Sequence, residues 1–230
     1  MKQIYLVDDH PMLLEGLVRL IGHRSDWQVC GHAANACEAI AAIQEVSPDL
    51  VVMDITLPDK SGIEAIKDLQ CLTPGLKILV FSMHDEMLYA QRAIRAGAKG
   101  YLMKGAATEM LIQAIDRVMS GEIYLSSPVS NQILRGLSGR RGAEQFGLER
   151  LTDRELEVFE LLGYGKSSGQ ISDLLHISPK TVDAHRFNLK TKLSMPDAQA
   201  LLREAILWVE FGGKNRPADS KLQGSESDSP

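Results

Sequence analysis

Five short apolar runs, each followed by a helix-patterned stretch, fill the first 120 residues, and nothing after them reads as a strand. The runs lie near 3–7, 28–33, 50–53, 77–82 and 100–103. Near-continuous apolar runs of this length mark parallel strands buried on both faces. Met12, Leu13, Leu17, Leu20 and Ile21 follow helical spacing, as do Ile63, Ile66 and Leu69, then Leu111, Ile112, Ile115 and Val118. Such alternation predicts an α/β domain built on a doubly wound, five-stranded parallel sheet. Gly121 suits the end of its last helix.

The pattern then changes. Ser127-Pro128 starts a short helix through about Leu137, with serine as cap and proline at the first helical position. The run Gly-Leu-Ser-Gly-Arg-Arg-Gly that follows reads as a flexible linker. From Leu151 to about Phe211 the spacing is purely helical, and the Gly-, Ser-, Pro- and charge-rich tail is expected to be disordered. The expected organisation is an α/β domain over 1–121, a linker over 122–150, a small all-α domain over 151–211 and a tail over 212–230.

No apolar run reaches transmembrane length, and the charged start Met1-Lys2-Gln3 enters a strand directly, so a soluble cytoplasmic chain is expected. Cys30, Cys37 and Cys71 are odd in number and lack CxxC spacing, which reads as free thiols in a reducing compartment. Residues 1–125 carry 11 basic and 16 acidic side chains and residues 126–230 carry 14 of each. Neither half is basic enough to suggest nucleic-acid binding by composition, so any DNA contact needs a local patch.

The chemistry gathers at strand ends. Asp8-Asp9 follow Ile4–Val7, Asp54 follows Leu50–Met53, Ser82 follows Ile78–Phe81, and Lys104 follows Tyr101–Met103. In open parallel sheets, ligands bind outside the carboxyl ends of the strands. Three carboxylates, a hydroxyl and an ammonium are therefore expected in one crevice. The carboxylates suit a hard cation such as Mg²⁺, and a metal, a lysine and a hydroxyl around a further aspartate suit acyl-phosphate chemistry. Taken singly, each group has a blander reading, as a helix cap, a turn serine or a surface lysine.

The pieces Val7-Asp8-Asp9-His10, Met53-Asp54-Ile55-Thr56-Leu57-Pro58 with Gly62, Phe81-Ser82 and Gly100-Tyr101-Leu102-Met103-Lys104 together resemble the receiver domain of bacterial response regulators over about 120 residues. The resemblance implies a flavodoxin-like fold in which Asp54 accepts a phosphoryl group from a sensor histidine kinase. It implies Mg²⁺ on Asp8, Asp9, Asp54 and the Thr56 backbone carbonyl, with Lys104 and Ser82 holding phosphate oxygens. Ser82 moving toward the phosphate and Tyr101 turning inward would bias the surface of 87–96, 100–103 and 107–119. Thr56 and His84 stand where receivers tune the lifetime of the acyl phosphate; an exposed loop is the bland reading of His84. Lys104-Gly105 replaces the usual Lys-Pro, so a trans peptide or an altered loop is expected. A dehalogenase-type phosphatase also uses a strand-end aspartate, but it needs a second aspartate where this chain has Thr56, and it lacks the Asp8-Asp9 pair. GxxxxGK[ST] and GxGxxG are absent. Beyond its own phosphotransfer and slow dephosphorylation, no enzyme activity is expected.

Residues 151–211 read on their own as a helix-turn-helix. Thr152 and Glu155 form a capping-box pattern, and Ser178-Pro179 start a further helix. In that helix Val182, Leu189 and Leu193 share an apolar face, while Lys180, Ala184, Phe187 and Thr191 fall opposite. From 178 to 193, four basic side chains face one acid. Leu151–Val158, Gly165–Ser168, Ile171–Val182, His185-Arg186, Asn188-Leu189 and Lys192-Leu193 resemble the LuxR-type domain of NarL/FixJ-type regulators. The resemblance implies a recognition helix in the DNA major groove, with Lys180, Arg186, Lys190 and Lys192 on phosphates. Asp183, Ala184 and Phe187 would lie at bases, with Thr181 and Asn188 on the same interface. Asp183 departs from the family, where lysine is frequent. The last helix, 197–209, is capped by Asp197, with Ala200, Leu201, Ala205 and Trp208 on one side; in the family it forms a dimer contact, while Trp208 also suits a core.

The whole therefore looks like a two-domain transcription factor. Phosphorylation would release or reorient its output domain, favour homodimers and promote binding to two half-sites of double-stranded DNA. A protein-binding output domain is the main alternative. The linker also permits a closed form in which the receiver covers the recognition helix.

Overall fold

A computed structural model describes residues 1–137 and 147–210. Most of the expected linker run and the whole tail lie outside the described residues. Five strands form one parallel sheet in the order β2-β1-β3-β4-β5: β1 Lys2–Val7, β2 Trp27–Ala33, β3 Leu50–Met53, β4 Ile78–Ser82 and β5 Gly100–Met103. Each strand falls within a residue or two of its expected place. The helices between and after them are α1 Pro11–Gly22, α2 Ala36–Val46, α3 Gly62–Leu72, α4 Glu86–Ala96 and α5 Thr108–Met119.

Alternate strand residues feed two apolar layers. Ile4, Leu6, Leu50, Val52, Leu79, Phe81 and Leu102 pack with α1 and α5. Tyr5, Val7, Val51, Met53, Ile78, Val80 and Tyr101 pack on the other side with α2, α3 and α4. Burying a large aliphatic or aromatic side chain contributes roughly 1.5–3 kcal/mol, and these layers fix the register in which the strand ends meet. Strand order reverses direction at β1 and β3, which opens a crevice at their carboxyl ends.

Helix α6, Ser127–Leu137, has the expected bounds, but the hydroxyl that accepts from the Val129 N–H belongs to Ser126, not Ser127. A 3₁₀ turn, Leu148–Arg150, leads into α7 Asp153–Gly163, α8 Ser168–Leu175, α9 Pro179–Lys192 and α10 Ala198–Glu210. The Thr152/Glu155 capping box forms, a second joins Ser167 and Gln170, and Ser178 Oγ accepts from the Thr181 N–H. Asp197 caps α10 through the Ala200 N–H. Trp208 is half-buried, its ring tilted against Phe159 at 5.5 Å between centroids, so it packs on the core. A Cβ on Gly163 would collide with Val209 and the Ala205 carbonyl, so glycine sets how closely α7 and α10 cross.

The helical domain is not a separate ball on a tether. The apolar layer beside α3 and α4 continues through Val129, Leu148 and Leu151 into Leu156, Val158, Phe159 and Leu162 of α7. Among the described residues no helix is long and apolar enough to cross a membrane, and no peptide bond is cis, so Lys104-Gly105 is trans.

Candidate functional site

The strand-end groups meet as the spacing requires. Asp54 is 3% exposed. Its Oδ1 accepts from the Ile55 N–H at 2.6 Å, and its Oδ2 accepts from Lys104 Nζ at 2.6 Å. The same ammonium lies 2.6 Å from Asp8 Oδ2. Burial opposes the charge on Lys104, and the two carboxylates outweigh it, holding the ammonium above its ordinary value. Asp8, Asp9, His10 and Asp54 each offer a ligand atom, and these lie within 4.8 Å of one another. His10 Nδ1 is 2.7 Å from Asp9 Oδ1 and 3.1 Å from Asp8 Oδ1; no metal role was expected of it. The Ser82 hydroxyl is buried with no hydrogen-bond partner among the described residues. An orphaned buried hydroxyl costs free energy unless a further group satisfies it. The loop after Asp54 folds back sharply: the Gly62 N–H donates to the Ile55 carbonyl at 2.7 Å. A Cβ on Gly62 would strike the Asp54 carbonyl oxygen.

Two residues of the expected switch are held by tertiary contacts of their own. Tyr101 was expected to turn inward on phosphorylation. With Asp54 bonded to Lys104 it already lies fully buried, its hydroxyl donating to the His84 carbonyl at 2.9 Å. Nor is His84 an exposed loop residue. Its Nε2 is 2.9 Å from Thr56 Oγ1, and its Nδ1 is 2.7 Å from Glu160 Oε2 of α7. Burial works against the imidazolium, and Glu160 with Glu157 and Asp54 outweighs it, so His84 sits above its ordinary value.

Glu160 belongs to a seam that sequence reasoning missed. Its Oε2 also accepts from the Tyr89 hydroxyl at 2.9 Å. Asp153 takes Arg92 and Lys67, each at 3.0 Å, and Arg92 also donates to the Leu148 and Leu151 carbonyls. Arg154 pairs with Glu157 at 2.6 Å, and burial pushes the Glu157 carboxyl up. His176, at the end of α8, reaches 3.5 Å from Asp9 Oδ2. The helical domain thus lies along the crevice. No local signal marked these residues, because acids spaced along a helix ordinarily read as its solvated face.

The outer face of the recognition helix is left out of this seam and stays exposed, unlike the covered arrangement that the linker permits. Val182 and Leu189 are buried, and Leu193 just beyond α9 is buried with them; Lys180, Ala184, Phe187 and Thr191 are exposed, Phe187 by 64%. Thr181 and Asn188 are exposed as well. Lys190 Nζ stands 5.7 Å over the Phe187 ring. Three expected DNA contacts are already engaged. Lys192 Nζ binds Glu155 at 2.6 Å; Arg186 donates to Ser168 Oγ at 2.6 Å; and Ser168 donates to Asp183 at 3.2 Å. Asp183 and Arg186 therefore tie α9 to the start of α8.

This arrangement defines a class. Residues 4–116 match the response regulator receiver domain and residues 149–205 match the bacterial regulatory proteins of the luxR family. The chain belongs to the response regulators with a LuxR-type DNA-binding domain. It is similar to the transcriptional activator protein ExaE of Pseudomonas putida, with 37% identity over 203 residues, covering 88% of this chain and 95% of that one. A crystal structure of a LuxR-family two-component response regulator from Aurantimonas sp. SI85-9A1 matches at 39% identity and a TM-score of 0.55, covering 59% of this chain and 97% of that one. RcsB from Salmonella enterica serovar Typhimurium, bound to the promoter rprA with the phosphomimetic BeF3-, shares the fold at 23% identity and a TM-score of 0.59, covering 89% of this chain and 98% of that one.

Proposed function

We propose that Asp54 is the phosphoacceptor of a two-component system, supplied by a sensor histidine kinase. The reading rests on one observation above all: Lys104 Nζ lies 2.6 Å from both Asp54 and Asp8, beside a Ser82 hydroxyl with no hydrogen-bond partner among the described residues. A phosphoryl group on Asp54 would give both a target, since charge-assisted bonds to phosphate oxygens are strong. Asp8, Asp9 and Asp54, with the Thr56 carbonyl, are the oxygen donors that would hold Mg²⁺, which offsets charge repulsion between carboxylates and phosphate. Thr56 and His84 flank the pocket and set the lifetime of the acyl phosphate.

Phosphorylation then frees the output domain, favours a homodimer and strengthens binding to promoter half-sites through α9. Lys180 and Lys190 contact phosphates, Ala184 and Phe187 meet bases, and Thr181 and Asn188 line the interface. Asp183, Arg186 and Lys192 serve mainly to brace the helix. The test is intact mass and oligomeric state of wild type and Asp54→Asn after Mg²⁺ and acetyl phosphate. One added phosphoryl group in wild type alone, with a shift to dimer, is expected. No addition to folded wild type overturns the reading.

A further inference from the structure

We propose that Glu160 of the output domain is a positioning residue for the receiver's own chemistry, holding His84 so that closure of the two domains and phosphorylation of Asp54 oppose each other. This rests on Asp54 being the phosphoacceptor.

The chain of contacts is short and continuous. Asp54 Oδ1 is 3.4 Å from the Thr56 N–H. Thr56 Oγ1 meets His84 Nε2, and Glu160 accepts from His84 Nδ1 and from Tyr89. Both imidazole nitrogens are occupied, so the ring has neither donor nor acceptor left for a water at the pocket. The Tyr89 ring lies 4.4 Å from the His84 ring, and Tyr101 holds the His84 carbonyl. The loop carrying Ser82 and His84 is therefore clamped at side chain and backbone alike. Ser82 and His84 are two residues apart, so drawing Ser82 toward a phosphoryl group pulls on the segment that Glu160 grips. Glu160 is itself buried, and an interaction of a buried carboxylate that is lost on opening is worth more than an exposed one. Coupling of this kind is reciprocal: what phosphorylation does to closure, closure does to phosphorylation.

During labelling by acetyl phosphate, an Asp54 oxygen bonds to phosphorus as the phosphorus–acetate oxygen bond breaks, and acetate leaves with that electron pair. The experiment measures the initial rate of this step for full-length wild type, Glu160→Ala, Glu160→Gln, His84→Ala and the His84→Ala/Glu160→Ala pair. It also measures amide hydrogen exchange of 82–86 and 153–163 in the same proteins without phosphodonor. Glu160→Ala is expected to label about tenfold faster, within the ordinary range of inter-site coupling, and both segments exchange faster together. Glu160→Gln, which keeps an acceptor oxygen, stays near wild type. In the His84→Ala background the Glu160→Ala effect disappears, as a double-mutant cycle requires of a direct pair. Additive effects, or unchanged rates in folded Glu160→Ala, overturn the proposal. If wild type takes no phosphoryl group, the phosphoacceptor reading fails, and this proposal, in so far as it concerns phosphorylation, fails with it; non-additive exchange would then identify a Glu160–His84 clamp alone.

Discussion

Helices α7 and α9 belong to the same small domain and carry similar numbers of charged side chains, yet they treat them oppositely. On α7, Asp153, Arg154, Glu155, Glu157 and Glu160 are all buried. On α9, Lys180 and Asp183 are exposed and the other charged side chains half-buried. Charges are buried only when paired, and α7 finds its partners partly across the seam, in Arg92, Lys67 and His84. The difference teaches that the receiver holds its output domain by the scaffold helix and leaves the reading helix uncovered.

The comparison breaks hardest at Arg154. Its guanidinium serves Glu157, which is fully buried, and the Leu175 carbonyl. Arg154→Ala leaves a buried carboxylate without its cation, and a loss of about 3–5 kcal/mol is expected. Urea unfolding of the full chain checks it; a loss below about 1 kcal/mol would mean that α7 is not the buried, charge-paired helix described. Gly163→Ala comes next. The new Cβ meets Val209 and the Ala205 carbonyl, and overpacking of this kind costs about 1–3 kcal/mol. The same measurement should show it, with the receiver's site contacts unchanged.

How much of this was legible follows the range of the contacts involved. The β1–β5 runs, the Thr152 capping box and the convergence of Asp8, Asp54 and Lys104 are set by local periodicity and by one topological rule, so sequence alone places them. The apolar face of Val182 and Leu189 was equally plain. Glu160, Asp153 and His176 were not, because their partners lie 76, 61 and 167 positions away in the chain (His84, Arg92 and Asp9) and nothing local distinguishes an acid facing water from one facing another domain. The contacts of Tyr101 and Lys192 were hidden for the same reason. The family pattern fixes their positions, while the His84 carbonyl and Glu155 that hold them here come from tertiary packing.

Thr152→Ala is a smaller probe of the same helix. It removes the hydroxyl that accepts from the Glu155 N–H, at a cost of about 1 kcal/mol. Glu155 adds a pH signature. Burial alone would raise its carboxyl, but Lys192 and the Thr152 N–H outweigh that and hold it below its ordinary value. A carboxyl depressed by folding contributes stability that is present above its unfolded value and is lost as pH falls through the folded one. Stability should therefore drop below about pH 4.5, and Lys192→Met should flatten that drop. An unchanged acid limb would separate Lys192 from α7 and return it to the DNA-facing set.

The smallest effect on stability is expected on α9, where the effect on DNA should be clearest. Lys180→Ala touches an exposed residue and should leave unfolding within about 0.5 kcal/mol. If Lys180 meets a phosphate, its loss weakens binding alike for all sequences and lowers the salt slope by about 0.9. Phe187→Ala should also spare stability, since the ring is largely exposed and touches the core little. Its loss should instead change preference at one base pair, because an apolar side chain in the major groove reads the thymine methyl. Competition binding across single-base variants of a promoter site, at two salt concentrations, separates the two. A uniform loss for Phe187→Ala would make the ring a general contact. A stability loss above about 1 kcal/mol in either variant would show that α9 is braced through its outer face, erasing the contrast with α7.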